Sequence, residues 1–188
     1  MANSEYISRV SNNDLLTCVI DDTAGHSYPC QVVVNGNLNA KDLSYLPTPV
    51  DTLFLLGPQY LMLREEFSDQ SNFVVRSTVH NILVVLGGSD SLELMPSILS
   101  MLDDMQYDFV INSIIGPFAN NENNVRQVID NSRHVINLFN SPDAIQELIM
   151  QADLAISAGG QTLYELLCVG CPTVPIEVAR NQKKQLES

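Results

Sequence analysis

The sequence predicts an α/β protein built on a Rossmann-like open parallel sheet with helices on both faces, accompanied by the remnant of a second Rossmann-like domain. Three observations carry this. From residue 81 onward, short β-branched runs alternate with helix-length amphipathic segments, the rhythm of βαβ units. Two of the strand-like runs end in glycine pairs, Gly87–Gly88 and Gly159–Gly160, each ahead of a helical pattern. Residues 1–57 instead hold strand-like runs with no clear helix between them, too little to close a core independently.

TCVIDD and CQVVVNGNL read as two buried strands joined by the short TAGHSYP segment, and DTLFLLG adds another. GPQYLMLREEF has the mixed apolar and charged texture of a connector. NILVVLGG then reads as a strand, SLELMPSILSMLDDM as a helix, DFVINSIIG as a strand and NENNVRQVIDN as a helix, by their two- and 3.6-residue periods. HVINLF, DLAIS and PTVPIEV continue as strands, with SPDAIQELIMQA and GQTLYELLCVG as the helices between them. Ser141 followed by Pro142 reads as an N-cap and first helical residue. Gly170 sits where a left-handed C-terminal cap belongs, and Pro172 stops the helix. These marks predict an N-terminal remnant over residues 1–57, a connector over 58–80 and a main domain over 81–188.

Composition narrows the function. The 188 residues are 45% hydrophobic and 16% charged, enough to bury a core. A formal net charge of -13 argues against electrostatic binding to nucleic acid or to an anionic membrane. A bound phosphate would therefore be held by backbone N–H groups rather than by a lysine cluster. No apolar run approaches the roughly 20 residues needed to span a bilayer, and MANSEYISRV lacks the apolar block of a signal peptide. The expectation is a cytoplasmic protein without membrane insertion. Four scattered cysteines do not make a secreted disulfide framework.

Ligands of open parallel sheets bind at the carboxyl ends of the strands, where both glycine pairs lie. Glycine allows a close approach and positive φ, and a following helix offers unpaired N–H groups with partial positive charge. A phosphate suits both features. Thr162 and Glu165 are three apart, which fits two readings. In one, Thr162 meets a phosphate oxygen and Glu165 holds the vicinal hydroxyls of a ribose. In the other, the pair is a capping box. Asn181 and Gln182 follow the last strand, as donors to sugar or diphosphate oxygens or as a polar surface turn.

Cys168 and Cys171 form C-x-x-C, but at a helix C-terminus, where the dipole disfavours a thiolate; buried structural cysteines are expected. Asp21, Asp22 and His26 read as a turn and cap arrangement in preference to a metal or acid/base site. No nucleophile elbow or P-loop is present, and GGSD lacks the third glycine of a dinucleotide fingerprint. No cofactor and no metal are expected.

The series CVIDD, VVVNGNL, GPQYLMLREEF, ILVVLGGSD, ADLAISAGGQTLYELLCVGCPTV and the closing NQ resembles the PseG- and SpsG-like UDP-sugar hydrolases of pseudaminic acid and spore-coat polysaccharide biosynthesis. It is more distantly similar to MurG-type GT-B glycosyltransferases. The resemblance runs from about residue 16 to residue 182. It implies two Rossmann-like domains, the C-terminal one binding UDP or a UDP-sugar. Carried over by position, Gly88 and Ser89 face the diphosphate, and Gly160, Gln161 and Thr162 cradle phosphate. Glu165 holds the ribose, Asn181 and Gln182 lie near the sugar, and Leu138 and Phe139 receive uracil. The family's G-x-G-H loop, which supplies a catalytic histidine, has no counterpart here, and His26 lies in a different motif. The resemblance therefore implies a hydrolase fragment lacking the N-terminal catalytic half-domain, inactive alone; the alternatives are a fragment of a MurG-like glycosyltransferase or a non-catalytic nucleotide-binding or assembly module. Self-association, or a partner supplying the missing half, is expected to go with it.

Overall fold

The structure, a computed structural model, describes residues 3–11, 15–48, 51–67 and 74–187. The chain divides into two compact units, Met1–Met62 with Glu187–Ser188, and Leu63–Leu186.

The smaller unit is a three-stranded parallel sheet of β1 (Cys18–Ile20), β2 (Val32–Asn35) and β3 (Leu53–Leu56), in that order. Val33 is fully buried and packs with Tyr28, Cys30 and Ile7. Ile20, expected in a buried strand, is 68% exposed, because β1 is an edge strand. Ile7 belongs to a helix that the sequence reading misses, α1 (Ser4–Ser11). Its signal is local: the Asn3 side chain accepts from the Tyr6 N–H at 2.9 Å, as an N-cap residue does. Glu5 and Arg9 pair one turn apart. Asp21 organises the turn after β1, accepting from the Thr23 and Ala24 N–H groups and from the Tyr28 hydroxyl at 2.7 Å. This is the turn and cap role read from the sequence.

The larger unit holds a five-stranded parallel sheet in the order β6-β5-β4-β7-β8. Its strands are β4 (Asn81–Val85), β5 (Val110–Ile115), β6 (Val135–Asn140), β7 (Leu154–Ala158) and β8 (Thr173–Ile176). All five coincide with the predicted runs. Among the described residues, the α-helices that accompany them are α2 (Met95–Asp103), α3 (Glu122–Asn131), α4 (Ile145–Gln151), α5 (Gln161–Val169) and the short α6 (Lys183–Leu186). Strand alternation sends Ile82, Val84, Ile111 and Ile115 to one face, against Met95 and Leu99 of α2 and Val125 of α3. Leu83, Val85, Ile114 and Ala155 face the other way, against Ile145 and Ile149 of α4 and Leu166 and Val169 of α5. The result is a three-layer α/β/α arrangement. Phe67, in the stretch read as connector, is 1% exposed and packs into this second layer.

Two helix starts differ from the expected ones. α2 begins at Met95, not near Ser91, because Asp90 and Glu93 take positive φ (40° and 52°) in a turn that precedes it. Ser141 is likewise left-handed, with φ 44°, and its N–H donates to the Ile115 carbonyl. α4 therefore starts at Ile145, and Ser141 is not its N-cap. Gly170 does end α5 in the left-handed conformation, φ 80°.

In chain order, β4 is laid down first and β7 is added on its far side after β5 and β6. Connections to either side of β4 leave in opposite directions, so β4 and β7 flank the topological switch point. There the loops part and leave a crevice at the strand ends.

Candidate functional site

Both glycine pairs fall at that crevice. After β4 the chain runs through Leu86 into Gly87, whose φ of 78° a side chain would strain. Gly88 follows, its carbonyl accepting from the Phe118 N–H at 2.9 Å. At the end of β7, Ser157 and Ala158 lead to Gly160, the N-cap of α5, which as a glycine brings no capping side chain of its own. The two turns line one cavity of about 380 Å³. Its walls include Gly87, Gly88, Ser89 and Ser91 from the β4 turn, and Ser157, Gly160, Gln161 and Thr162 from the β7–α5 junction. Val178, Ala179 and Gln182 close it from the turn after β8. A Cβ built on Gly160 would meet nothing within 4 Å, so the space above this glycine is open.

The structure thus brings together Gly88, Ser89, Gly160, Gln161, Thr162 and Gln182 of the sequence-derived set. Gln182 is held in place by its own turn, its side-chain carbonyl accepting from the Val178 N–H at 2.9 Å. Asn181 is exposed and does not line the cavity. Leu138 and Phe139 line a separate hollow of about 630 Å³ with Arg126, Ile129, Asp130 and Ile136, between α3 and the edge strand β6.

The two helix starts are not equivalent. At α2 the Asp90 carboxylate accepts from the Leu94 N–H at 2.9 Å and the Met95 N–H at 3.0 Å, and also from the Asn121 side-chain amide at 2.6 Å. A protein carboxylate therefore occupies the place where the sequence reading puts free amides for a phosphate. The open helix start is that of α5.

Thr162 and Glu165 do not form a capping box. Gly160 is the N-cap, Thr162 falls inside the first turn, and Glu165 is buried at 2% exposure. Both Glu165 oxygens are engaged: Arg64 donates from Nε to Oε1 at 2.9 Å and from Nη2 to Oε2 at 2.7 Å. The resemblance gives this carboxylate to a ribose, whereas the structure has it on a guanidinium.

Cys171 is buried, and that burial, with Asp153 nearby, pushes its thiol up to about 11, as expected of a structural cysteine. Cys168 is exposed, contrary to the same expectation. Asp153, just ahead of β7, ties the two central strands: it accepts from the His80 and Asn81 N–H groups at 2.8 Å and pairs with Arg76. Burial would raise its carboxyl, but Arg76 and the two amides outweigh burial and hold it below the ordinary range.

Three residues that shape the site escape sequence reading: Asp90, Arg64, and Gly116, whose backbone lies against that of Gly87 and Gly88. Asp90 and Gly116 carry a signal of position only, at the ends of β4 and β5. Arg64 carries none, because its partner lies 101 residues on.

The fold and the cavity define a class, a Rossmann-like α/β domain that presents main-chain amides and small polar side chains at its switch point. Within that class the chain belongs to a definite family: residues 82–187 match the glycosyltransferase family 28 C-terminal domain. Over 151 residues it is 32% identical to an uncharacterized protein of Methanocaldococcus jannaschii, a match covering 76% of this chain and 31% of that one. Over 129 residues it is 30% identical to the spore coat polysaccharide biosynthesis protein SpsG of Bacillus subtilis, covering 67% of this chain and 38% of SpsG. The chain thus spans about a third of the length of these curated relatives. Among solved structures, Acinetobacter baumannii MurG shares the fold, with a TM-score of 0.63 at 14% identity, covering 98% of this chain and 53% of MurG. Among the described residues, no helix is long and apolar enough to cross a membrane.

Proposed function

We propose that this chain is the nucleotide-sugar-binding part of a UDP-sugar hydrolase of the SpsG kind, acting in cell-surface polysaccharide or nonulosonic acid biosynthesis. The observation that carries the reading is the convergence of two glycine turns and the glycine-led start of α5 on one cavity. A diphosphate placed there would take main-chain N–H groups from the first turn of α5, beyond Gly160, whose own N–H donates to the Ala158 carbonyl at 2.8 Å, and hydroxyls from Ser89 and Thr162. The α5 dipole would favour its charge. In hydrolysis water attacks the sugar carbon, the bond to the diphosphate oxygen breaks, and the same amides stabilise the departing charge.

Membership of a glycosyltransferase family favours a second reading, in which a sugar hydroxyl replaces water as the attacking group. Calorimetric titration with UDP, UMP and ADP tests the shared premise. UDP should bind best, and Thr162→Val should weaken it by about 1–3 kcal/mol, as for a lost hydrogen bond to a charged group. Equal, negligible binding of all three nucleotides would count against the diphosphate site. Incubation with UDP-sugars, with and without a hydroxyl acceptor and with a longer relative such as SpsG as reference, separates hydrolysis from transfer.

A further inference from the structure

We propose that Arg64 is a positioning residue for the cavity: acting through Glu165, it holds α5, and with it the helix start that lines the cavity, in one place. The inference rests on reading the cavity as the nucleotide's diphosphate site.

Glu165 follows Thr162 by three residues, one turn along α5. Its carboxylate is 2% exposed, so water cannot take over from a lost partner. Arg64 meets it with two parallel N–H···O bonds of 2.9 and 2.7 Å, an arrangement that fixes orientation as well as distance. The guanidinium is itself held. It lies over the Phe67 ring, 5.2 Å from the centroid, and its Nη1 reaches Glu66 at 3.3 Å. The backbone around it is pinned to both neighbouring helices: the Gln146 side chain of α4 donates to the Glu66 carbonyl at 2.7 Å, and Cys168 of α5 donates its thiol to the Phe67 carbonyl. Phe67 packs beside Leu166 and Val169 of the same helix. The segment 63–67 therefore grips α5 from the side, while its N-cap, Gly160, has no side chain with which to fix the first turn. A small rotation of α5 would move Gln161 and Thr162 at the cavity wall.

The test uses the full chain and two readouts, UDP affinity by calorimetry and hydrogen–deuterium exchange of peptides covering 161–165, with β4 and β5 peptides as internal reference. Arg64→Met should weaken UDP by about tenfold or more and speed exchange at 161–165 while β4 and β5 keep wild-type protection. Arg64→Lys, which keeps the charge but not the fork, should recover both only in part. Unchanged affinity and exchange in Arg64→Met overturn the proposal. Tighter UDP binding overturns it too, since Arg64 would then be withholding Glu165 from the ligand. Should the wild-type chain bind no UDP, the nucleotide reading fails and the exchange data alone decide whether Arg64 positions α5. If Arg64→Met is insoluble, Glu165→Gln, nearly isosteric and uncharged, carries the same two readouts.

Discussion

Gly116, at the end of β5, lies with its backbone directly against that of Gly88, at the end of β4: a methyl group at position 116 would come within 2.5 Å of the Gly87 carbonyl oxygen. The atoms in the way are main chain, which cannot swing aside. Gly116→Ala should therefore cost about 1–3 kcal/mol of stability, as overpacking does, and displace the Gly87–Gly88 turn. Urea unfolding reads the first effect, and loss of UDP binding in the folded fraction reads the second.

Gly160→Ala is the complementary experiment. Its φ of -107° suits any residue, and the added carbon meets nothing, so stability should stay within about 0.5 kcal/mol of wild type. The methyl would enter the space proposed for phosphate. UDP affinity should fall by about tenfold or more, and an unchanged isotherm would put the diphosphate elsewhere.

Asp90→Ala removes the carboxylate that holds the first amides of α2 and the Asn121 amide. It also places alanine at a φ of 40°. The expected loss, near the upper end of the roughly 0.5–2 kcal/mol range for caps, is measurable by thermal or urea denaturation. Asp90→Asn, which tolerates the left-handed conformation, should lose less.

His134 supplies a pH signature. Its Nε2 lies 2.7 Å from the Tyr107 carbonyl and its Nδ1 3.0 Å from Asp103, with the ring stacked on Phe109. Both acceptors are satisfied at once only by the imidazolium. The Tyr107 carbonyl first, and Asp103 second, raise its pKa above 6.5. Asp103 is held below the ordinary carboxyl range, the Ser132 hydroxyl being the largest cause, with burial opposing. The stability from His134 is fully present below the unfolded value of 6.5 and is lost as pH rises through the raised folded value. That from Asp103 is present above the unfolded carboxyl value and lost in acid. Urea midpoints should fall between pH of about 6 and about 8.5 more steeply in wild type than in His134→Gln; parallel curves would remove His134 from the account.

Among the described residues, the cavity is lined by no charged side chain, and the whole chain carries -13. UDP binding should therefore be flat or slightly strengthened as salt rises from about 50 to about 500 mM, since added ions screen only the protein's repulsion. A tenfold weakening would reveal a lysine or arginine on the phosphates.

The main sheet was legible because each strand is a short β-branched run between turn residues, and its parallel order follows from the helices between. The glycine pairs were legible as turns at the strand ends for the same reason: they close strands on which the topology rule acts. What escaped reading was long-range or conformational. The Arg64–Glu165 pair joins residues 101 apart, and no local pattern announces it. The positive φ of Asp90, Glu93 and Ser141 shifts two helix starts by several residues, because a non-glycine left-handed residue looks like an ordinary helix opening in sequence. α1 was missed for want of length, its single buried contact being Ile7.

Asp90 leaves the pocket with an asymmetry of its own. At the start of α2 the first amides are taken by its carboxylate, whereas the start of α5, behind Gly160, faces open space. A guest that relied on main-chain donors would find them on the α5 side, so the hollow would set which way round such a molecule enters.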